Sequence, residues 1–541
     1  MDNLPSDNTQ DLKPPISSPT SDPAPENLSG PGTGPLYQGD ANQQQPPTGE
    51  YSSSIYSSEF TPESNISLNP PQSYSPSAGE VPPMDSTPTN VPPPPFEEGN
   101  KSKILLLGGG ILFALIIIFF LFKFLTRAPG TPKSATLTYW GLWEDSTIMQ
   151  PLIDEFQKSH PNIKISYTKQ SPKQYRERLQ AALGRGEGPD IFRFHNTWTD
   201  MMLNNLSPMP STLYSPSDFD KTFYPVAKSD LNRGTGYFGI PLEIDGLVVL
   251  YNDDMVKAGG ITIPTSWEDF RNTALKLTVK DTGGNIQTAG VALGSADNIE
   301  HFSDILALMM LQNGTNLKDV LGPCADASTS TCAVDSLIFY RKFADLPNNT
   351  WDDTLDNSIS AFAGGKVAMI FAPTWEIFTV KQINPNLNFK IAQIPQLPGL
   401  TINWATYWVE GVSRSSKNQA AAWEFLKFLS SKESLTKLYT EEAKTRLFGE
   451  PYSRVDLAPA LSSDPYLGPL LSEAPTMKSF PLASDTQDNG IDDQMIKYLL
   501  DAVNSLKQGG NPQSALETAS QGFKQVLTKY GIIAAPPTAA Q

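Results

Sequence analysis

Tryptophans and polar groups recur together where apolar segments of this chain end. Trp143 is followed by Glu144 and Asp145, His195 and Asn196 precede Trp198, and Trp375 precedes Glu376. Trp404 and Trp408 flank Tyr407, and Asp245 stands within Gly239-Ile240-Pro241-Leu242-Glu243-Ile244-Asp245-Gly246. Flat aromatic faces with acceptors and amides at their rim suit a ligand with apolar CH faces and a ring of hydroxyls, as in a sugar. Aromatics beside carboxylates suit an organic cation such as a polyamine equally, through cation–π contact and charge pairing. Glu144 with Asp245, or Glu243 with Glu376, also offers a carboxylate pair for glycoside cleavage, but no spacing sets either pair at a working separation. His160, His195 and His301 are the three histidines, and neither a G-x-S-x-G segment nor metal-ligand spacing accompanies them. An enzyme is therefore disfavoured, and neither a metal nor a cofactor is expected. Trp267 and Trp423, at a helix start and on an apolar helix face, are assigned to packing.

The elements that must hold these residues begin at Ala135. Ala135–Trp140 reads as a short apolar strand, and Ile148, Met149, Leu152, Ile153 and Phe156 follow at helical spacing. Asp154 and Lys158 are spaced for an i,i+4 pair on the wet face. Ile163–Tyr167 alternates as a strand, a second helix is expected over Tyr175–Leu183, and Asp190–Phe194 is a third strand. This βαβαβ order points to a parallel sheet with helices on its faces, whose ligands sit beyond the carboxyl ends of the strands. Those ends are Gly141–Asp145 and His195–Trp198. Further strands are expected at Leu247–Tyr251, Val367–Phe371 and Asn388–Ile394. An amphipathic helix is expected over Ala420–Leu429, and two helices near 491–507 and 513–529 close the pattern, the second capped by Asn511 with Pro512 at its first position.

Ahead of this part lies a different kind of chain. Residues 1–100 contain 21 of the 48 prolines and 13 acidic residues against the single base Lys13, so most of the net charge of −17 belongs there. Such a composition lacks the apolar surface to offset ordering entropy and reads as a disordered tail. Neither part is basic, which disfavours nucleic acid as a partner. Ile104–Phe122 is an uninterrupted apolar run flanked by Lys101, Lys103, Lys123 and Arg127. As a helix it spans about 28 Å, close to the hydrocarbon thickness of a bilayer. It begins too late for a cleavable signal peptide, so a single-pass signal anchor is expected, although the flanking charges do not set its orientation. Cys324 and Cys332, eight residues apart, can close a polar loop as a disulfide in an oxidising, exported location, with two free thiols as the alternative.

Four blocks occur in a family's order: Tyr139-Trp140-Gly141 with its helix, Gly186-Glu187-Gly188-Pro189-Asp190-Ile191-Phe192, Gly239-Ile240-Pro241 through Tyr251-Asn252, and Phe362 through Met369. Pro264–Phe270 and Ala420–Leu426 add to them. Over nearly all of 135–530 the chain resembles the maltose-binding-like extracellular solute-binding proteins (family 1 type) that feed ABC importers. The resemblance implies an α/β, two-lobe periplasmic-binding-protein fold (type II), with a ligand cleft between lobes that close on binding. It places lobe 1 at 136–245 with 393–445 and lobe 2 at 246–392 with 446–530. The tail at 1–100, the anchor at 101–127, a linker at 128–135 and a flexible C-terminus at 531–541 complete the division. Crossings between the lobes are implied near Glu243–Val249 and Lys390–Pro395.

Ligand-binding positions implied by the resemblance are Trp143, Glu144, Asp145, His195, Asn196, Trp198, Asp245, Trp375 and Glu376, with Trp404 and Trp408 in the returning segment. The function expected is capture of a carbohydrate outside the cell for an ABC permease, with the binding part extracellular and the tail cytoplasmic. The alternatives are a polyamine or organic-cation binder of the same fold, and a sensor that signals through its tail.

Overall fold

The computed structural model describes residues 134–534 apart from 235, 326–328 and 400. The acidic tail and the apolar run Ile104–Phe122 lie outside the described residues. Among those described, no helix is long and apolar enough to cross a membrane.

Two five-stranded sheets organise the chain. The first contains β1 (Ala135–Gly141), β2 (Ile163–Lys169), β3 (Ile191–His195), β4 (Ile240–Pro241) and β11 (Trp408–Val412), in the order β2-β1-β3-β11-β4. β1 runs parallel to β2 and β3, whereas β11 runs antiparallel to β3 with Trp408 opposite His195. The second contains β5 (Leu247–Asn252), β6 (Val279–Lys280), β7 (Ile286–Val291), β8 (Val367–Pro373) and β9 (Phe389–Ala392), in the order β6-β7-β8-β5-β9. β5 and β8 are almost entirely buried, and both read as continuous apolar runs because helices cover each face of their sheet.

The helices follow their sequence patterns closely. Ser146–Ser159 buries Met149, Leu152, Ile153 and Phe156 against the first sheet. Asp154 accepts from Gln150 Nε2 at 2.7 Å, one turn back, rather than from the Lys158 its spacing offered. Gln419–Leu429 buries Ala422, Trp423, Phe425, Leu426 and Leu429, while Ala421 and Phe428 sit at its margins. Pro512–Lys529 starts as its sequence indicates, with the Asn511 side chain accepting from Ser514 N and Pro512 at the first position. It packs with Ile491–Lys507 beside the helices Phe302–Gln312 and Cys332–Arg341 of the second sheet. Cys324 and Cys332 are joined by a disulfide.

The chain passes between the sheets at Leu242–Gly246. Here Glu243 bridges to Tyr452 and Gly246 to Ala405, both antiparallel. The return lies at Asn403–Tyr407, not at Lys390–Pro395. After β9 the chain stays on the second sheet, because Gln312 Nε2 donates to the carbonyls of Pro395 and Ile402, and Gln396 N donates to Thr265 O. Only β10 (Asn403–Trp404), paired with β12 (Met477–Lys478), brings it to the crossing. Close approach there requires Gly246: an added Cβ would stand 2.0 Å from Trp404 O and 2.9 Å from Met477 Cε. Backbone cannot yield as a side-chain tip does, and overpacking costs about 1–3 kcal/mol. Gly246→Ala is therefore expected to lose about 2–3 kcal/mol in urea unfolding. A loss below about 0.5 kcal/mol would mean that the crossing strands separate freely.

Candidate functional site

A cavity of about 510 Å³ lies between the two sheets, against the crossing strands. Its first wall is made by the carboxyl ends of β1 and β3 and the start of β11. Leu142 and Trp143 follow β1, His195 ends β3, Trp198 sits one turn later, and Trp408 opens β11. Trp408 is the hub of this wall. Its ring meets Trp143 at 5.5 Å, Trp198 at 5.3 Å and His195 at 5.1 Å between centroids, each edge-to-face. His195 is locked from both sides, by Thr197 Oγ1 at 2.8 Å and Thr406 Oγ1 at 3.0 Å. Burial lowers its pKa to about 3, so the ring is neutral and serves as a wall rather than a base.

The opposite wall comes from the second sheet. Trp375 follows β8 and Glu376 opens the helix Glu376–Ile383. Trp143 and Trp375, one on each wall of the same cavity, are 37% and 38% exposed. Asp245, on the crossing, accepts from the backbone N–H groups of Gly246 at 2.6 Å, Thr374 at 3.0 Å and Trp375 at 3.2 Å. Burial pushes its carboxyl up to about 7 against the pull of those donors. It thereby ties the crossing strand to the loop that presents Trp375.

Six carboxyl groups reach this cavity (Glu243, Asp245, Glu300, Glu376, Glu450 and Asp485) against the single cation Arg446. Burial, reinforced by the adjacent Glu450, raises Glu243 well above the usual carboxyl range. Glu450 is lowered despite its burial, because Arg446 Nη2 stands 2.8 Å from its Oε1 and Glu243 shares a hydrogen bond with it. Glu243 Oε1 also accepts from Trp408 N at 3.1 Å. The pair therefore titrates as a unit with one retained proton.

Of the sequence candidates, the structure gathers Trp143, His195, Trp198, Asp245, Trp375, Glu376 and Trp408 on the cavity wall. It places four elsewhere. Glu144 is buried and accepts from Arg193 Nη1 at 2.7 Å, the counter-charge that holds it away from the cavity. Asp145 is exposed and pairs with Lys169 at 2.9 Å. Asn196 is buried, donating to Asp230 at 2.8 Å and accepting from Tyr407 N at 3.2 Å. Trp404 is fully buried, and its Nε1 donates to Asp304 at 2.7 Å. Conversely, Tyr175, Glu300, Thr406, Arg446, Glu450 and the segment Ser484–Gln487 reach the cavity without a sequence signal that would have nominated them. Trp267 packs as expected, its Nε1 donating to Gln312 at 2.6 Å.

The cleft thus lies between two α/β lobes, walled by aromatics and reached by crossing strands, an arrangement suited to enclosing a small ligand. Residues 140–435 match the family of bacterial extracellular solute-binding proteins, and the chain belongs to that family. The fold is shared with a cyclo/maltodextrin-binding protein solved with maltotetraose (TM-score 0.60, 19% identity, 74% of this chain and 98% of that one). Among sequence relatives, an uncharacterized lipoprotein in the oleD 5' region of Streptomyces antibioticus is 28% identical over 169 residues, covering 28% of this chain and 36% of that protein. The maltotriose-binding protein of Pyrococcus abyssi is 22% identical over 303 residues, covering 54% of this chain and 61% of that protein. The chain thus spans about a third of the first relative's length and under two thirds of the second's.

Proposed function

We propose that this protein captures a carbohydrate, a sugar or short oligosaccharide, between its lobes and presents it to an ABC permease. The observation that carries this reading is the pair of accessible indoles, Trp143 and Trp375, set on opposite walls of one cavity. A pyranose between them buries both CH faces, while Glu376, Asp485, Ser484 and Thr406 stand at its rim as acceptors and donors. Micromolar affinity corresponds to about −8 kcal/mol, within reach of two stacked rings and several hydrogen bonds. Ligand contacts made on both lobes select the closed form, and the closed form is what a permease recognises. The relatives support the same class, since their names or titles mention maltotriose and maltodextrin.

Membrane attachment is part of the proposal. The apolar run Ile104–Phe122 supports a single-pass anchor with residues from 134 onward outside the cell and the acidic tail inside. The Cys324–Cys332 disulfide is in keeping with an exported location. On this view lobe 1 is 136–245 with the return strand and its helices, and lobe 2 is 246–392 with the C-terminal helices.

A second reading is favoured by one observation, the excess of carboxyl groups over Arg446 in the cavity, which suits a polyamine. A thermal-shift screen of the detergent-purified full chain separates the two, using maltotriose, maltotetraose, mannobiose, spermidine and putrescine. A ligand that binds only the folded state at a hundred times its Kd adds about 2.7 kcal/mol of stability. A rise in melting temperature with a saccharide alone is the expected result. A rise with the amines alone would transfer the assignment to cation capture.

A further inference from the structure

Two of the carboxyls at the rim of the proposed sugar site, Glu376 and Asp485, meet a buried histidine in the side wall of the cavity. His301 precedes the helix Phe302–Gln312, Glu376 opens its own helix, and Asp485 lies in the loop that follows β12. One donor atom from each of the three lies within 4.8 Å of the others. His301 Nε2 stands 3.4 Å from Glu376 Oε1. Two donors bound to one Zn2+ at tetrahedral angles and ordinary bond lengths are roughly 3.3 Å apart. We propose that His301, Glu376 and Asp485 form a divalent-cation site in the cleft wall, suited to a borderline ion such as Zn2+.

Three further observations bear on it. First, His301 and Glu376 are only 1% and 4% exposed, yet Glu376 Oε2 finds no hydrogen-bond partner among the described residues and His301 Nε2 meets only Glu376 Oε1, at 3.4 Å, long for a hydrogen bond. Buried polar atoms are normally satisfied, so this pair marks a place where a group is wanted. Second, the ring is already oriented for the task. Its other nitrogen, Nδ1, is 2.7 Å from Ser484 Oγ, and Ser484 N donates to Asp304 Oδ2 at 3.0 Å. A metal-ligating imidazole characteristically has its second nitrogen held in this way. Third, carboxyl groups gather around the ring. Among the described residues Glu376 pairs with Nε2 of His301 and Asp485 stands 3.8 Å from its Nδ1, and Glu300 and Asp304 add further carboxyl groups nearby.

One imidazole and two carboxylates suit zinc-like ions. Ca2+ and Mg2+ prefer six or more oxygens and gain little from a ring nitrogen. On binding, any proton on Nε2 leaves to solvent and the cation takes its place between ring and carboxylate. Three protein donors leave a fourth position open, and Glu376 and Asp485 both face the cavity. A ligand hydroxyl there would be bound through the ion, and the acid-rich wall would then accommodate a neutral ligand. That last step rests on the carbohydrate reading; cation binding itself does not.

The test therefore uses the metal alone. Chelator-treated full chain is titrated calorimetrically with Zn2+, and Co2+ is added separately to read its visible spectrum. The expected result is one equivalent of Zn2+, a tetrahedral Co2+ spectrum, and binding at least about 10-fold weaker in His301→Gln, Glu376→Gln and Asp485→Asn. Asp485→Asn changes a partly exposed loop side chain and keeps the comparison valid if the buried variants misfold. No stoichiometric Zn2+ binding overturns the site. So does binding that all three variants retain, or a preference for Ca2+ over Zn2+. None of these outcomes bears on the saccharide screen.

Discussion

Arg193→Met is expected to remove about 3–5 kcal/mol of stability. Arg193 lies on β3, fully buried, and its Nε donates to Glu410 Oε1 on β11 at 2.6 Å while Nη1 donates to Glu144 Oε1 at 2.7 Å. One guanidinium thus joins the loop after β1 to two adjacent strands, immediately behind Trp143 and Trp408. Methionine fills much of the volume but leaves two buried carboxylates without a counter-charge, and that loss outweighs any gain in apolar packing. Burial already raises the Glu410 carboxyl against the pull of Arg193, and removing the guanidinium raises it further. A raised carboxyl pKa favours the folded state at low pH, and stability declines as pH rises from the unfolded value toward the folded one. The deficit relative to wild type is accordingly expected to be smaller at pH 5 than at pH 8. Urea unfolding at both values measures it, and adding Glu144→Gln with Glu410→Gln should restore part of the loss. A deficit under about 1 kcal/mol, or one indifferent to pH, would show that the triad is not the support assigned to it.

How far the sequence disclosed this arrangement depends on the range over which each feature is determined. β1, β2 and their helices were legible because burial imposes periods of 2 and 3.6 residues on adjacent positions, and β3 as a short run buried throughout. The Asn511 cap was legible for the same reason, being settled within four residues. The return crossing was not. Residues 393–402 are held to the second lobe by Gln312, more than 80 positions away, and no local pattern records such a bond. Trp404 and Trp408 show the limit for the site. Both are tryptophans in one short returning segment, yet Trp404 is sealed by Asp304 while Trp408 faces the cavity. Glu144 likewise adjoins Trp143 in the bend after β1, but its carboxylate is drawn to the buried Arg193. Asp485 and Glu300 lie in segments without periodicity, and Asp485 adopts a left-handed backbone. Residue type was therefore informative about the ligand class, and contact partners decided which residues could meet it.

Trp143→Ala and Trp375→Ala are each expected to weaken binding of the saccharide found by thermal shift by about 10- to 100-fold, or roughly 1.4–2.8 kcal/mol. The two differ in how they should act. Trp143 leans edge-on against Trp408, so its loss also loosens the first wall, whereas Trp375 contacts the His301 ring at 5.6 Å and is carried by the loop fixed to Asp245. Both indoles are more than a third exposed, so truncation leaves little cavity and each variant should unfold within about 1.5 kcal/mol of wild type. The double variant carries the stronger prediction. If one sugar ring or chain is gripped by both lobes, closure depends on both contacts together, and the pair should show a coupling energy above about 0.5 kcal/mol in a double-mutant cycle. Calorimetric titration of the four proteins measures this directly. Losses confined to Trp143→Ala would place the ligand on the first lobe alone. With no contact on the second lobe the ligand could not favour the closed form, and capture by closure would fail even though a sugar binds.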